Sequence, residues 1–193
     1  MALATIEQAL EALRSGKPVL VADDENRENE GDAIMAAEFM TTEWMAWFVN
    51  RTSGYLCAPM DEHTANQLEL PLMTTNNQDP HATNYTVTVD AAARESTGIS
   101  AADRALTART LASSTAGPES LIRPGHILPL RAHPHGVFGR RGHTEAAVDL
   151  LKLAGLSPVA IIGEMVNQDG SMMRFDDLVQ VGESEGIVLI TVA

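Results

Sequence analysis

Between positions 23 and 32 the chain reads Asp-Asp-Glu-Asn-Arg-Glu-Asn-Glu-Gly-Asp, with six acidic residues and one arginine among ten. Carboxylates packed this closely repel one another, so folding gains when a cation, or Arg27, is placed among them. An oxygen-rich cluster suits Mg2+ or Mn2+ better than zinc. A solvated surface loop is the other reading, and Gly31 would allow close backbone approach. A second cluster, Gly139-Arg140-Arg141-Gly142-His143-Thr144-Glu145, precedes a helix-like segment. With Thr144 as its cap, the helix's first-turn N–H groups, its positive dipole end and two guanidiniums would cradle a phosphate. An exposed basic turn before a capped helix would use the same residues. Arg123-Pro124-Gly125-His126 adds an imidazole, structural or catalytic, on a loop entering a strand. Glu164, in an otherwise apolar run, is either exposed at a strand end or buried with a raised pKa suited to proton transfer. His63, His81, His133 and His135 show no partner-like spacing and read as loop or surface residues. Cys57 reads as a small core residue.

These groups need elements to position them. Thr5-Ile6-Glu7-Gln8 is a capping box, followed by apolar residues at helical spacing up to Gly16. Pro18 to Ala22 reads as a buried strand ending at the acidic run. A helix is expected from near Thr42, with Trp44, Trp47 and Phe48 on one side. Tyr55–Pro59 and Tyr85–Asp90 read as strands. Ser100 opens a helix toward Ser113, Ile127–Arg131 is a strand, and Thr144–Ala154 is a helix that Gly155 terminates. Val159–Val166 and Ile187–Val192 are strands, separated by a turn at Asp169-Gly170 and a short helix from Asp176. This interleaving predicts an α+β domain: a mixed, twisted β-sheet flanked by helices in a three-layer α/β/α sandwich.

The chain has 193 residues, 45% of them apolar, and 26 acidic against 13 basic residues give a net charge of −13. Length and composition favour a single globular domain over residues 1–193. The acid excess argues against non-specific nucleic-acid or anionic-membrane binding, and an anionic ligand would need a local basic pocket. One cysteine excludes an internal disulfide and a Cys-only zinc cluster. Apolar runs fall far short of the roughly 20 residues of a membrane span, and the first ten residues lack the basic start of a signal peptide. A cytoplasmic location is expected.

A metal, a phosphate cradle and spare acid–base groups are the equipment for enolising a sugar phosphate. Pattern reasoning does not choose between isomerisation, aldol cleavage and skeletal rearrangement. The residue runs themselves do more. Residues 23–32, Thr97-Gly98-Ile99-Ser100-Ala101-Ala102-Asp103-Arg104, Arg123-Pro124-Gly125-His126, Gly142-His143-Thr144-Glu145-Ala146 and Glu164 closely resemble, in collinear order, the 3,4-dihydroxy-2-butanone 4-phosphate synthase family.

The resemblance implies a homodimeric lyase of riboflavin biosynthesis that uses Mg2+ or Mn2+. It would convert ribulose 5-phosphate into the four-carbon phosphate and formate. It implies Glu28 and His143 as metal ligands and Arg27, Glu28, Asp32 and Glu164 as substrate contacts. Arg140, Arg141, Gly142, His143 and Thr144 would hold the phosphate end, with the doubled arginine leaving that contact uncertain by one residue. His126 and Glu164 would be the catalytic groups, with Glu30 and Cys57 near the site. The sequence departs from the family at Gly163, where Cys is common, at His133–Gly136, and at Ala193, beyond which relatives usually continue into a helix. A trimmed chain, or a domain cut from a bifunctional protein, is expected from the last. The rival readings are a metal-dependent sugar-phosphate isomerase or aldolase, and a non-catalytic domain that binds a phosphorylated ligand.

Overall fold

The computed structural model describes residues 3–24 and 27–192. Glu25 and Asn26 of the acidic run lie outside the described residues. The elements are α1 (Ile6–Arg14), β1 (Val19–Ala22), β2 (Gly31–Ala36), α2 (Thr42–Arg51), β3 (Cys57–Met60), α3 (Glu62–Gln67), β4 (Val89–Ala91), α4 (Ala101–Ala112), β5 (Leu121–Arg131), α5 (His143–Ala154), β6 (Ala160–Glu164), α6 (Phe175–Glu185) and β7 (Val188–Thr191). The sheet order is β4-β5-β3-β6-β2-β1-β7. It is mixed: β1 runs parallel to β7 and β3 to β5, while β2 is antiparallel to β1 and β6.

The period-two alternation of the strands sorts the core into two apolar layers. Val19, Val21, Ile34, Ala36 and Ile162 pack with Leu10, Leu13, Leu150 and Leu151 of α1 and α5 on one face. Leu20, Ala22, Ala33, Met35 and Ile161 pack with Phe48, Ala105, Leu111 and Leu178 of α2, α4 and α6 on the other. The predicted α/β/α sandwich is therefore present. Two of the three predicted N-caps form: Thr5 accepts from Gln8 N–H and Ser100 from Asp103 N–H. Gly155 ends α5 in the left-handed region at φ 74°.

Four expectations change. β2 begins at Gly31, inside the acidic run, and all six of its residues are buried. The approach that Gly31 permits is to Leu178 of α6, not to a ligand. The Tyr85–Asp90 strand is replaced by isolated bridges at Tyr85 and Thr86 before β4. There Thr86 hydrogen-bonds the carbonyl of Pro129, which has no N–H to return to a ladder. Arg123–His126 belongs to β5, not to a loop before it. α5 begins at His143 with Gly142 at the cap position, so Thr144 lies in the first turn and does not cap it.

Candidate active site

Sheet register brings the first two acidic groups together. Asp32 on β2 and Glu164 on β6 are Cα partners in the antiparallel pairing. Each continues the alternation of its strand, Asp32 with Ile34 and Glu164 with Ile162, so both belong to the face that α5 covers. Asp32 is buried, whereas Glu164 sits at its strand's end, part-buried, and accepts a hydrogen bond from Ser53 Oγ at 2.7 Å. Of the two positions open for Glu164 from sequence, the strand end is the one observed. The N-terminus of α5 delivers buried His143 and Thr144 to the same place. His143 Nδ1 lies 3.4 Å from Asp32 Oδ1 and 3.9 Å from Glu28 Oε2.

The β1–β2 loop is organised by Asp23, whose side chain is fully buried. Its Oδ1 accepts from Glu30 N–H at 2.9 Å, and its Oδ2 from Glu28 N–H at 3.2 Å and Arg27 Nη1 at 2.8 Å. Arg27 Nη1 also reaches Glu28 Oε2 at 2.7 Å. Arg174, at the N-cap position of α6, donates to the carbonyls of Glu28 and Asn29. The acidic run is thus a braced loop, with its one arginine placed among the carboxylates. Asp23 was not singled out from sequence; its position directly after an apolar strand is the signal that could have found it.

Burial raises Asp32 well above the ordinary carboxyl range, and the charges of Glu164, Glu28 and Glu30 add to the effect. Glu30 is raised for the same reasons, by burial and then by Glu28 and Glu164. Burial lowers His143, with Asp23 and Glu28 opposing it, so the imidazole is held neutral. Among the described residues, Asp32 Oδ1 and His143 Nε2 are buried without hydrogen-bond partners. A buried polar atom left unpaired costs about 1–3 kcal/mol, and a cation would relieve it. Asp23, Glu28 and His143 can each offer a ligand atom within 4.8 Å of the others. The donor set therefore fits a hard divalent ion. The oxygens of Asp23 are already engaged by the loop, which leaves Glu28 and neutral His143 as the better-placed ligands.

Arg27, Glu28, Asp32, His143 and Glu164 line a cavity of about 290 Å³, together with Glu30, Cys57 and Thr144, while Asp23 lies behind its wall. Burial pushes the Cys57 thiol up, so it stays protonated as a core residue at the site's edge. At the other end Arg140 lines the cavity, but its guanidinium is already engaged. It donates to Glu145 Oε2 at 2.7 Å, to Thr83 Oγ1 at 2.8 Å and to the His81 carbonyl at 2.8 Å. Arg141 is exposed and does not line the cavity. Gly142 is not part of the lining either; a Cβ there would meet Arg140 Nη1 and Arg27 Nη2, so the glycine lets both arginines approach. The first turn of α5, with no side-chain cap, presents its N–H groups at this end. Thr83, Tyr85 and His81 also line it and were not assigned to a site from sequence: Tyr85 sits on an isolated bridge, and Thr83 and His81 lie on the irregular segment before it, which carries no motif.

His126 does not line this cavity. On β5 its backbone N–H donates to Asp90 Oδ1 at 2.9 Å, and its Nδ1 pairs with Asp90 Oδ2 at 2.9 Å. Asp90 is buried, while the imidazole is 37% exposed. The Thr97–Arg104 run folds over this pair. At φ +99° Gly98 has no room for a Cβ, which would meet Asp90 Oδ2 and lie 2.8 Å from His126 Nδ1. Asp103, lowered to about 2 by its hydrogen bond from Ser96, holds that loop in place. Gly163 points to the opposite face, where a Cβ would lie 2.8 Å from Thr52 Oγ1. Its departure from the family therefore concerns packing.

The chain is 56% identical to the 3,4-dihydroxy-2-butanone 4-phosphate synthase of Candida albicans, covering 97% of this chain and 92% of that protein. It is 54% identical to that of Saccharomyces cerevisiae, covering 97% and 94%. With the riboflavin biosynthesis protein RibBA of Salinispora arenicola it is 56% identical over 98% of this chain but only 45% of that longer protein. The crystal structure of the Candida albicans synthase superposes with a TM-score of 0.92 at 53% identity, covering 98% of this chain and 94% of that one. A synthase solved with two magnesium ions gives a TM-score of 0.95 at 45% identity, with the same coverage. The sequence profile of 3,4-dihydroxy-2-butanone 4-phosphate synthase matches residues 7–193. The chain belongs to the 3,4-dihydroxy-2-butanone 4-phosphate synthase family, enzymes of riboflavin biosynthesis.

Proposed function

We propose that this cavity converts D-ribulose 5-phosphate into L-3,4-dihydroxy-2-butanone 4-phosphate and formate. The observation that carries the reading is the opposed pair Asp32 and Glu164 beside Glu28 and His143, at the N-terminus of α5. The reaction removes the C3 proton, expels the C1 hydroxyl as water and shifts the carbon skeleton. Water then adds back and the original C4 leaves as formate, so the elements of water balance. A bound Mg2+ or Mn2+, held by Glu28 and His143, would stabilise negative charge on adjacent sugar oxygens. Arg27 and Asp32 orient the sugar. Ser53 occupies Glu164 Oε2 and leaves Oε1 to exchange protons with the carbon chain. The first-turn N–H groups of α5, the Thr144 hydroxyl and the positive charge of Arg140 hold the phosphate.

His126 enters this scheme through a homodimer. Asp90 holds it with its ring exposed and away from its own chain's cavity, as a group offered to a neighbouring site would be. We place His126 of the partner subunit at the open side of the cavity. The location is cytoplasmic in this reading, and no helix among the described residues is long and apolar enough to cross a membrane.

The test is formate release from ribulose 5-phosphate by purified protein, with Mg2+ and again with EDTA. Metal-dependent formate in step with the four-carbon phosphate is expected. Sugar consumed without formate would favour an isomerase or aldolase, and no turnover a binding-only domain.

A further inference from the structure

The wall of the cavity includes one imidazole to which neither the acidic loop nor the phosphate end assigns a role. His81 sits on the segment between α3 and β4, and its backbone is held from two sides. Asp79 accepts from His81 N–H at 3.1 Å and from Thr83 N–H at 2.8 Å. Arg140 donates to the His81 carbonyl at 2.8 Å, and Ala82 turns the chain at φ 53°. What remains is the side chain, which lines the cavity with its Nε2 3.8 Å from Glu28 Oε1. That separation is too long for a hydrogen bond. Among the described residues the ring has no hydrogen-bond partner, and it is 45% exposed.

Three other polar side chains of the wall are already engaged. Arg27 is held by Asp23 and Glu28. Arg140 is held by Glu145, and the Thr83 hydroxyl accepts from Arg140. A polyol entering between carboxylates needs hydrogen-bonding groups other than carboxylates, and an imidazole supplies one.

We propose that His81 is a substrate-contacting residue of this site, its imidazole hydrogen-bonding the polyol hydroxyls of ribulose 5-phosphate on the side facing Glu28. The assignment rests on the substrate reading above. Asp79 and Arg140 fix the backbone, so the ring meets the sugar with little ordering left to do. A single hydrogen bond of this kind corresponds to about tenfold in affinity.

His81→Ala and His81→Gln test it. Calorimetric titration with ribulose 5-phosphate in EDTA reads sugar binding without turnover; separate titrations use Mn2+ alone and inorganic phosphate alone. Formate release gives kcat and KM. For His81→Ala the expectation is about tenfold weaker sugar binding and about tenfold higher KM, with kcat within about threefold. His81→Gln should restore most of the loss, and Mn2+ and phosphate affinities should stay within about twofold. Weaker Mn2+ binding in both variants would make His81 a metal ligand and overturn the proposal. An equal loss for inorganic phosphate would move the contact to the phosphate and overturn it as well. Unchanged sugar binding and KM would remove any contact. Wild-type protein that releases no formate would break the substrate reading itself, independently of either variant.

Discussion

Asp32 and Glu164 face each other across the antiparallel pairing of β2 and β6, one buried and the other at the strand's end. Like charges placed opposite on neighbouring strands destabilise a sheet. Here Arg27 pairs with Glu28 and Asp23, and among the described residues it makes no ion pair with either member of the opposed pair. Buried Asp32 accordingly favours its protonated form.

The pH dependence of stability follows from that shift. The folded Asp32 keeps its proton to higher pH than the unfolded chain, whose Asp titrates near about 3.9. Over that window the folded state binds more protons, so stability is greatest below the unfolded value and falls as pH rises through the folded one. Asp32→Asn removes the titration. The metal-free variant is expected to melt about 2–8 °C higher at pH 7, for a relief of about 1–2 kcal/mol, with the difference shrinking toward pH 4. It should release no formate. Thermal scans from pH 4 to 8 check this, and a lower melting temperature at pH 7 would show that the charge is compensated in the fold.

Divalent metal should stabilise the protein by filling the gap between Glu28 and His143. At 100 times its dissociation constant a ligand adds about 2.7 kcal/mol, which raises the melting temperature of a chain this size by about 5–11 °C. Glu28→Gln and His143→Ala are expected to fold, to lose that increment and to lose turnover. Scans with Mn2+ and with EDTA measure it; an undiminished shift in either variant would take that residue out of the ligand set.

The two arginines should behave differently. Arg140→Ala removes the charge paired with buried Glu145 at 2.7 Å and leaves that carboxylate, among the described residues, only the His133 N–H at 3.0 Å. A loss of about 3–5 kcal/mol in urea unfolding is expected, along with weaker substrate binding. Arg141→Ala should stay within about 0.5 kcal/mol and change KM little, because the residue is exposed and off the cavity wall. Equal losses in the two variants would return Arg141 to the phosphate end.

Shared sites can be detected by mixing two inactive proteins. His126→Ala and Glu164→Gln are each expected to be inactive. Random exchange of subunits would give heterodimers in which one of two sites has both wild-type groups, restoring roughly a quarter of full activity. No recovery after exchange would place His126 in its own chain's reaction or outside catalysis. Asp90→Asn should cost at least about tenfold in kcat through the orientation of His126, with KM little changed.

Local chemistry and pattern were enough for much of this. The helix caps at Thr5 and Ser100, the stop at Gly155 and the buried strands at Val19 and Ile161 follow from side-chain hydrogen bonding, φ preference and alternation within a few residues. The acidic run, His143, Thr144 and Glu164 stood out by residue type and placement, the family resemblance singled out Arg27, Glu28, Glu30 and Asp32 within the run, and the fold gathers them on one cavity. Which groups meet was decided only in three dimensions. Sheet register sets Asp32 against Glu164 across 132 positions of sequence, a pairing that no local window contains. His81 and Thr83 lie on an irregular segment with no local motif, and only the bridge of Tyr85 to Leu130 and the bond from Arg140 to the His81 carbonyl bring that segment to the cavity. Whether Arg140 or Arg141 turns inward depends on where α5 begins and on buried Glu145, both consequences of packing. Residue types set the available chemistry; the long-range contacts of the sheet set which atoms could share it.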